Sequence, residues 1–402
     1  MRVPRVAVVA DLAEERWHSM DLVAEILMLG LRTPKARVVD ATQVRPAMVR
    51  RLTRIPGLNR WQRAETADRI INRLWDYRRS LASRASDFDL FHIVDHSYAH
   101  LVTTLPQGRS LVMCHDVDAF EGVLPGTRSR SIVGRLLARQ LLEGLIAARK
   151  IVCGSVATRN ELVASGVVPA SQIAVVPYGV HPSCAPWPDP PADADAERAL
   201  GPVDAGCPEL LHVGSTIPRK RIDVLLDVFA ALRRRHSSLK LIRIGGPFTT
   251  RQQRQVSQLG LSGYVKVLPF LERRVLAAVY RRAAVVLQPS DREGFGLPVA
   301  EAMACGTPVV ASDLPPLRDV GRIQATYCAV GDVAAWTATL SALLDEREHD
   351  TDGWRARRAA AIVEARRFDA LQHAQKMLDL YRELIPELFG ESEQRLISAL
   401  AR

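Results

Sequence analysis

The sequence predicts an α/β protein made of two consecutive doubly wound domains, each a parallel sheet covered by helices. Three observations predict this fold. The chain has 402 residues, more than one ordinary hydrophobic core accommodates. Short apolar runs alternate with longer helical stretches in both halves, which is typical of parallel sheets. A proline-rich stretch interrupts this alternation midway and predicts a boundary between the domains.

The first predicted domain covers residues 1–180 and holds six strand candidates. They are short apolar runs of the kind that parallel sheets bury on both faces. In order they are Val6–Ala10, Ala36–Val39, Leu90–Val94, Ser110–Cys114, Lys150–Cys153 and Ile173–Val176. The helical stretches between them are Ser19–Leu29, Trp61–Ser83, Ile132–Ala147 and Ala157–Ala164.

Residues 181–209 are rich in proline, small residues and acids, a composition that predicts an extended connector. The second domain, residues 210–353, resumes the alternation. Its strand candidates are Leu210–Val213, Lys240–Ile244, Tyr264–Leu268, Ala283–Gln288 and Pro308–Ala311, and its helix candidates are Ile222–Arg235 and Pro298–Ala304. Residues 354–402 are predicted to be helical and have no strand left to pair with them.

The charge distribution is uneven. The formal net charge is +10, and residues 45–84 hold eleven arginines against three acidic residues. Residues 128–150 hold six basic residues against Glu143 alone. This excess is compatible with nucleic acid, anionic lipid or phosphorylated substrates as partners, and equally with a solvated basic face on ordinary helices.

Cysteine usage and hydropathy indicate a cytoplasmic protein. The six cysteines are scattered with no Cys-x-x-Cys pair, so neither a disulfide framework nor a metal site is predicted. No apolar stretch approaches the roughly 20 residues that a membrane span needs. Asp11, Glu14 and Glu15 follow the first apolar run at once, so that run predicts a buried strand and not a signal peptide.

One segment carries most of the functional information. Residues 288–310 read Gln-Pro-Ser-Asp-Arg-Glu-Gly-Phe-Gly-Leu-Pro-Val-Ala-Glu-Ala-Met-Ala-Cys-Gly-Thr-Pro-Val-Val. The pattern predicts a strand, a glycine-rich loop, a short helix and another strand. Pro298 suits the first helical turn, where its missing N–H costs nothing, and Gly306 suits the end of a short helix.

The glycine-rich loop in this segment predicts an anion site. Gly294 and Gly296 let the backbone approach a ligand closely. The amides of Phe295, Gly296 and Leu297 would lie at a helix N-terminus, which suits a diphosphate.

Two glutamates flank the loop. Glu301 lies on the predicted helix, where its carboxylate can accept both hydroxyls of a ribose. Glu293 lies in the loop, where a carboxylate is costly beside a phosphate unless it meets hydroxyls or a developing positive charge, as in an oxocarbenium-like transition state. The alternative makes Glu293 a loop carboxylate and Glu301 a helix-surface residue.

Residues 288–310 closely resemble the donor-site signature of the retaining glycosyltransferases of family 4. A second segment supports the resemblance, the strand, loop and helix at 212–229, His-Val-Gly-Ser-Thr-Ile-Pro-Arg-Lys-Arg-Ile-Asp-Val-Leu-Leu-Asp-Val-Phe. The resemblance is strong over about 205–345 and weak in the N-terminal half. It implies the GT-B fold, in which two Rossmann-like domains face a central cleft and the C-terminal helix crosses back to the first domain.

The resemblance also implies roles in binding the donor. Gly214 opens the loop of the second segment, and Lys220 is the main candidate for gripping the donor diphosphate, followed by Arg219. Relatives often carry an Arg where this chain has Ser215, so one phosphate contact is either missing or supplied by Arg219 or Arg221. A solvated basic turn is the alternative for these residues.

Polar residues after predicted strands mark the ligand side of the first domain. The resemblance gives His115 a contact with the donor sugar and phosphate, and therefore a catalytic role beside Glu293 and Lys220. Asp116 and His96 are candidates for the acceptor side, as is His18, which lies where the family has paired glycines. A capped helix start is the alternative for the segment around His96.

Residues Asp116-Val-Asp118 mimic the Asp-x-Asp metal motif of a different glycosyltransferase fold, but the second half argues against that fold. We therefore expect neither a metal nor another cofactor. The helix at 132–146 has leucine and isoleucine at helical spacing with arginines between them. Core packing is one interpretation; docking on an anionic membrane leaflet, at the cytoplasmic face, is the other.

The sequence thus predicts a retaining hexosyltransferase. It would move a hexose from a UDP- or GDP-sugar to a hydroxyl of a glycan, a lipid-linked acceptor or a small molecule. The alternatives are a nucleotide-sugar epimerase or a phosphorylase on the same fold, or a non-catalytic basic scaffold that binds nucleic acid. No specific nucleic-acid partner is expected, because the Arg-rich stretch lacks interleaved aromatic residues.

Overall fold

A computed structural model describes residues 3–33, 38–57, 62–124 and 131–389. The chain forms two compact units. Unit 1 comprises Met1–Gly179 and Ala370–Arg402, and unit 2 comprises Val180–Asp369. Within the described ranges, no helix is long and apolar enough to cross a membrane.

Unit 1 holds a six-stranded parallel sheet with the strand order β2-β1-β3-β4-β5-β6. The strands are β1 Arg5–Val9, β2 Asp40–Val44, β3 Leu90–Ile93, β4 Ser110–Cys114, β5 Lys150–Cys153 and β6 Ile173–Val175. The helices before the unit boundary are α1 His18–Leu31, α2 Gln62–Ile71, α3 Tyr77–Ser83, α4 Ile132–Ala147 and α5 Val156–Ala164. A π-helical turn, Asn72–Asp76, joins α2 to α3, and a 3-10 helix, His96–Thr104, follows β3.

Strand β2 corrects a prediction. The sequence predicted a strand at Ala36–Val39, of which residues 36 and 37 lie outside the described residues. The structure instead forms the strand at Asp40–Val44, where only Val44 is fully buried. An edge strand can rely on one apolar anchor and expose its other side chains, so it leaves no apolar run in the sequence.

The C-terminal helix α14, Ala370–Leu384, belongs to unit 1 and packs against α1. A Cβ atom at Gly30 would lie 2.5 Å from the Cβ atom of Ala374, so glycine is needed for this close packing. The ring Nδ1 of His92 in β3 is 2.6 Å from the hydroxyl of Tyr381. The predicted return of the C-terminal helix to the first domain is thereby confirmed.

Unit 2 holds a second six-stranded parallel sheet, with the order β12-β11-β10-β7-β8-β9. Its strands are β7 Glu209–Val213, β8 Lys240–Ile244, β9 Val265–Leu268, β10 Val285–Gln288, β11 Val309–Ser312 and β12 Thr326–Cys328. Its helices are α6 Pro190–Leu200, α7 Ile222–Arg233, α8 Thr250–Gln258, α9 Arg273–Arg282, α10 Leu297–Ala304, α11 Pro315–Gly321, α12 Val333–His349 and α13 Thr351–Ala365.

Residues 181–209 are not the extended connector that their composition predicted. They belong to unit 2 and contain α6, which packs against α9. Pro190 begins this helix, where the absent N–H is no loss, and the side chain of Asp189 caps it. Arg274 of α9 pairs with Asp189 at 2.8 Å. The prolines therefore start a helix here, and clusters of proline alone do not distinguish that from a linker.

The predicted C-terminal segment 354–402 is likewise divided between the units. Helix α13 belongs to unit 2 and packs against α10, whereas α14 belongs to unit 1. The division at Asp369–Ala370 has no signal in the sequence, because both helices continue a helical pattern.

Helix α4 is packed from Ala138 onward, towards its C-terminal end. Ala138, Gly144 and Leu145 are buried, and a Cβ atom at Gly144 would collide with the carbonyl of Ala99. Ile132 and Leu136 near its start are 69% and 59% exposed. Core packing, one of the two interpretations of this helix, therefore holds for its C-terminal half alone.

Candidate active site

The carboxyl end of the sheet in unit 2 brings together two loops that are 70 residues apart in sequence. One follows β7 and includes Gly214, Arg219 and Lys220; the other follows β10 and includes Glu293. The backbone N–H of Asp291 donates to the carbonyl of Arg219 at 2.9 Å, which ties the loops together. The parallel topology places both loops at the edge where ligands bind in open α/β sheets.

Glu293 lies at the centre of this arrangement. Its side chain is 6% exposed, and its Oε1 accepts hydrogen bonds from Lys220 Nζ at 2.5 Å, Gln288 Nε2 at 2.6 Å and Ser290 Oγ at 2.7 Å. Its Oε2 accepts one from Arg219 Nη1 at 3.0 Å. The carboxylate is thus held by four side chains.

Two opposing effects set the charge of Glu293. Burial raises the pKa of its carboxyl, but the positive charges of Lys220 and Arg219 and the hydrogen bonds from Lys220 and Ser290 outweigh burial and lower the pKa to about 2. Glu293 is therefore ionised at neutral pH. Two cations against one carboxylate leave the group with a net charge of +1.

Arg221 does not contact Glu293, because it pairs with Asp223. Its guanidinium forms a two-pronged pair with Asp223, at 3.0 Å from Nε to Oδ1 and 3.0 Å from Nη2 to Oδ2. Of the two arginines proposed to compensate for Ser215, Arg219 is therefore the one that reaches the centre of the site.

Glu301 lies in the second turn of α10 and is 4% exposed. The Tyr280 hydroxyl on α9 donates to its Oε2 at 2.8 Å. Burial raises the pKa of Glu301 despite this hydrogen bond and the charge of Arg273. Glu301 is not the helix-surface residue of the alternative interpretation, and its carboxyl is fixed by Tyr280, which the sequence analysis did not identify.

The loop between the glutamates begins α10. Gly296 is the N-cap residue, with φ of 99°, and Pro298 lies in the first turn. A Cβ atom at Gly296 would lie 2.5 Å from a methyl carbon of Leu317. Among the described residues, the amides of Gly296 and Leu297 have no hydrogen-bond acceptor. These amides point to the anion site that the glycine pattern predicted.

Phe295 has a structural contact that the motif does not reveal. Its side chain is buried, and its ring packs edge-on against Phe368 with centroids 5.6 Å apart. The ring therefore anchors the loop.

Arg243 of β8 is a residue of this site that sequence analysis missed. It is fully buried, and its guanidinium donates to the carbonyls of Gly214, at 2.7 Å, Gly245 and Gly246. Burial lowers its pKa to about 10, and no carboxylate pairs with it in the described part of the chain. A buried cation that binds only carbonyls keeps its full positive charge beside the loop.

Arg243 also orients the loop. A trans peptide directs its C=O and its N–H to opposite sides. Because the Gly214 carbonyl points at Arg243, the next amide, that of Ser215, points away from it, and it has no acceptor among the described residues. An arginine inside an otherwise apolar strand is the signal that could have identified this residue.

Unit 1 contains the other predicted catalytic residue, His115, directly after β4. It is buried, with Nε2 2.6 Å from the carbonyl of Val94 and Nδ1 2.6 Å from the Tyr178 hydroxyl. Nε2 must donate to that carbonyl. Burial lowers the pKa of His115, which favours the neutral ring, and in that form Nδ1 accepts from the Tyr178 hydroxyl. Both ring nitrogens are engaged within unit 1, so a contact of His115 with a donor sugar stays a prediction.

The acceptor-side candidates lie at two different places in unit 1. His96 is buried next to His115, whose backbone N–H donates to His96 Nδ1 at 3.2 Å, and Asp116 Oδ1 lies 3.6 Å from His96 Nε2. His18 begins α1 and is half-buried. Ser19, the next residue, lies inside this helix. Asp95 does cap the 3-10 helix that starts at His96, as the alternative interpretation expected.

Asp95, His96 and His115 offer possible metal ligands within 4.8 Å of one another. The hydrogen bonds argue against that use. Asp95 accepts from the backbone N–H of Ser97 at 2.8 Å and from its hydroxyl at 2.6 Å, and His115 has no nitrogen to spare. Ser97, Val94 and Tyr178 therefore already occupy atoms of Asp95 and His115 that would have to bind an ion.

Residues 193–358 match the family model described as glycosyl transferases group 1. The match includes residues 288–310 and confirms the resemblance predicted from them. Two relatives named D-inositol 3-phosphate glycosyltransferase illustrate the similarity. The one from Xylanimonas cellulosilytica is 39% identical over 225 residues, 53% of this chain and 51% of the relative. The one from Kineococcus radiotolerans is 32% identical over 278 residues, 64% of this chain and 62% of the relative.

The chain therefore spans about half to three fifths of the length of these curated relatives. Solved structures are similar over nearly the whole chain. Anabaena Alr3699/HepE in complex with UDP and glucose gives a TM-score of 0.69 at 15% identity and covers 94% of this chain and 99% of its own. Sucrose-phosphate synthase from Thermosynechococcus elongatus gives a TM-score of 0.68 at 20% sequence identity, and the match covers 96% of this chain and 100% of that protein. With the two parallel sheets and the returning helix, these likenesses confirm the GT-B fold.

Proposed function

We propose that the chain is a retaining glycosyltransferase that moves a hexose from a UDP- or GDP-sugar to a hydroxyl group. The observation that carries the proposal is the position of Glu293. It is a buried, ionised carboxylate held by Lys220 and Arg219 immediately before the N-terminus of α10, and α10 also carries Glu301.

The donor diphosphate is the ligand that this charge arrangement suits. Lys220 and Arg219 exceed the charge of Glu293 by one, and the amides of Gly296 and Leu297 add the partial positive charge of a helix N-terminus. Arg243 supplies a further positive charge behind Gly214. These groups would stabilise the charge that develops on the leaving diphosphate, so the reaction needs no metal or other cofactor.

The two glutamates take separate parts in the proposal. Glu301, fixed by Tyr280, would accept hydrogen bonds from the ribose hydroxyls. Glu293 would lie on the sugar side of the diphosphate and favour the positive charge of an oxocarbenium-like transition state. We expect retention by attack on the same face from which the diphosphate leaves, because no second carboxylate in the donor motif is placed as a nucleophile.

Unit 1 is assigned the acceptor. His115 is proposed as the third catalytic residue, with its ring oriented by Tyr178 and Val94, and Asp116, His96 and His18 as acceptor-side residues. The acceptor would be a hydroxyl of a glycan, a lipid-linked molecule or a small molecule. The names of the relatives from Xylanimonas and Kineococcus support glycosyl transfer, and the HepE complex with UDP and glucose supports a UDP-sugar donor.

A thermal-unfolding panel with UDP, GDP, ADP and their glucose or mannose conjugates tests the proposal. We expect one nucleotide and its sugar to raise the unfolding midpoint by several degrees at a hundred times the dissociation constant, which corresponds to about 2.7 kcal/mol. Replacing Lys220 with Ala should remove most of this shift.

The matched control is Arg251→Ala, which removes one exposed positive charge of unit 2 on α8 and should leave the shift unchanged. A panel in which no nucleotide shifts the midpoint, combined with salt-dependent binding of DNA or RNA, would support the scaffold alternative. Conversion of the nucleotide sugar without an acceptor would indicate an epimerase, and a requirement for inorganic phosphate would indicate a phosphorylase.

A further inference from the structure

A second concave site lies in unit 2, at the opposite end of the sheet from the donor loops. It is a cavity of about 690 Å³. Pro208 and Leu239, which precede β7 and β8, line it. The donor loops follow the same two strands at their other ends. A five-residue strand spans about 17 Å, so the cavity is separate from the proposed donor site.

The polar side chains around this cavity, which we term the rear cavity, are mostly basic. The basic ones are Arg235, His236, Arg347 and Arg358, and the others are Glu348, Ser237 and Ser238. The apolar wall comes from Leu344 and from Trp354, which is 8% exposed. Three arginines against one glutamate give the rear cavity a positive charge.

A carboxylate pairs with one of the three arginines that line the rear cavity and with one arginine beside it, but not with the other two lining arginines. Arg235 pairs with Asp345 at 2.9 Å. Arg357, the neighbour of Arg358, holds both oxygens of Glu346 at 2.8 and 2.7 Å. In the part of the chain that the structure describes, Arg347 and Arg358 have no ion pair.

Arg347 and Arg358 are also close enough to repel. Both are half-buried. Burial lowers the pKa of Arg358, and the like charge of Arg347 lowers it further. Two neighbouring guanidinium groups that form no ion pair are unfavourable in the folded chain, and an anion bound to both would relieve their repulsion.

We infer that the rear cavity binds a small molecule that carries a phosphate group. Guanidinium groups bind phosphate oxygens in a bidentate manner, and two of them face the same space here. Trp354 and Leu344 offer an apolar wall for the rest of the molecule, such as the face of a sugar ring. Glu348 would accept a hydrogen bond from a hydroxyl of that ring. This site does not depend on the proposed glycosyl transfer.

The test is isothermal titration of the full chain with inorganic phosphate, glucose 6-phosphate and glucose, each against sodium chloride at equal ionic strength. We expect saturable binding of the two phosphates but not of glucose. A lower dissociation constant for glucose 6-phosphate than for inorganic phosphate would show that the apolar wall contributes to binding. Equal constants would identify inorganic phosphate as the ligand. Both results support the site.

Variants locate the binding. Arg347→Ala combined with Arg358→Ala should weaken phosphate binding tenfold or more, since each loses a charge-assisted contact. Arg358→Lys keeps the positive charge but loses the two-pronged geometry, and it should weaken phosphate binding by an intermediate amount. This variant still tests the site if the double variant fails to fold. Arg355→Ala, an exposed position on the same helix, is the matched control.

The donor loops are also expected to bind phosphate. The titrations are therefore repeated with the Lys220→Ala variant, in which phosphate binding at the donor loops is weakened. Phosphate binding that persists in Lys220→Ala and disappears in the double arginine variant supports the rear cavity. Phosphate binding that disappears in Lys220→Ala, or that stays unchanged in the double arginine variant, overturns the inference. So does a phosphate effect that sodium chloride reproduces.

Discussion

The two units share one architecture but carry opposite charge at the carboxyl ends of their sheets. In unit 2, Lys220 and Arg219 outnumber the single carboxylate of Glu293. In unit 1, the corresponding end gathers the carboxylates of Asp11, Glu15 and Asp95, with Arg73 and Arg69 near Glu15. Burial, and then the charge of the neighbouring Asp95, raises the pKa of Asp11. The same fold therefore offers positive charge for an anion in unit 2. In unit 1 it offers carboxylates, which accept hydrogen bonds from hydroxyl groups.

The largest expected effect comes from breaking the charge arrangement of unit 2. Glu293→Gln removes the carboxylate and leaves Lys220, 9% exposed, without its partner. We expect turnover of the nucleotide sugar to fall by about 100-fold or more, and the free energy of unfolding to fall by about 3 kcal/mol. Steady-state kinetics with the donor from the nucleotide panel and chemical denaturation measure the two quantities.

A matched substitution is Asp313→Asn, which removes a carboxylate from an exposed pair with Arg318 in the same unit. It should change turnover less than twofold and the free energy of unfolding by less than about 1 kcal/mol.

In unit 1, His115→Gln should lower turnover by about tenfold, less than Glu293→Gln, because both ring nitrogens of His115 are engaged internally. Turnover within threefold of the unmodified enzyme for both Glu293→Gln and Lys220→Ala would refute the assignment of the donor site.

The contrast between the units also explains how much the sequence could predict. The donor loop was predictable because its requirements are local: Gly296 adopts a left-handed backbone, Pro298 occupies a first helical turn, and Glu293 precedes them at a fixed spacing. The alternation of short apolar runs likewise predicted most strands in both sheets.

Contacts between distant segments were not predictable in this way. Tyr280 supports Glu301 from another helix, Arg243 reaches Gly214 from a neighbouring strand, and Tyr178 lies 63 residues from His115. Each pairing is set by tertiary packing, which neither spacing nor periodicity encodes.

The second expected effect is a difference in acid sensitivity. Four of the buried histidines that the structure describes in unit 1 have lowered pKa values: burial lowers the pKa of His92 and His100 to about 3 and that of His373 to about 4, and it also lowers the pKa of His115. Unit 2 buries His212 in this way, with a pKa of about 3. The unfolded chain takes up a proton on each histidine as the pH falls below its ordinary pKa, about 6.5.

Folded histidines that stay neutral therefore cost stability on acidification. His92, His100 and His373 each contribute a loss of about 1.4 kcal/mol per pH unit below 6.5, and His115 adds a loss in the same direction. At pH 5.5 unit 1 should therefore lose several times more stability than unit 2, where His212 alone is described in this state. Glu293 affects stability over a different pH range, because its carboxyl is charged in the folded state. Its lowered pKa stabilises unit 2 above about pH 4.5, and this stabilisation is lost as the pH falls from 4.5 to 2.

Hydrogen exchange followed by mass spectrometry at pH 7 and pH 5.5, corrected for intrinsic rates, measures the two units separately. We expect loss of protection in the β3 and β4 peptides of unit 1 and little change in the β10 peptides of unit 2. Replacing His373 with Gln should reduce the effect by about a quarter. Equal loss of protection in both units would contradict the assignment of this sensitivity to the buried histidines.

The smallest expected effect concerns the surface of unit 1. The start of α4 exposes Ile132, Val133 and Leu136 beside the arginines 135 and 139, a combination of apolar and basic side chains that suits an anionic bilayer. We therefore propose that unit 1, and not unit 2, carries the peripheral membrane contact through which a lipid-linked acceptor would be reached.

Sedimentation with phosphatidylcholine vesicles, with and without phosphatidylglycerol, tests this contact. Ile132→Ser combined with Leu136→Ser should weaken binding to the anionic vesicles roughly tenfold, about 1.4 kcal/mol, because two partly inserted side chains are lost. Ile323→Ser, which removes a 90% exposed isoleucine from unit 2, is the matched control and should have no effect. Equal weakening by both variants would mean that exposed apolar side chains anywhere promote binding, and the two units would then not differ in this respect.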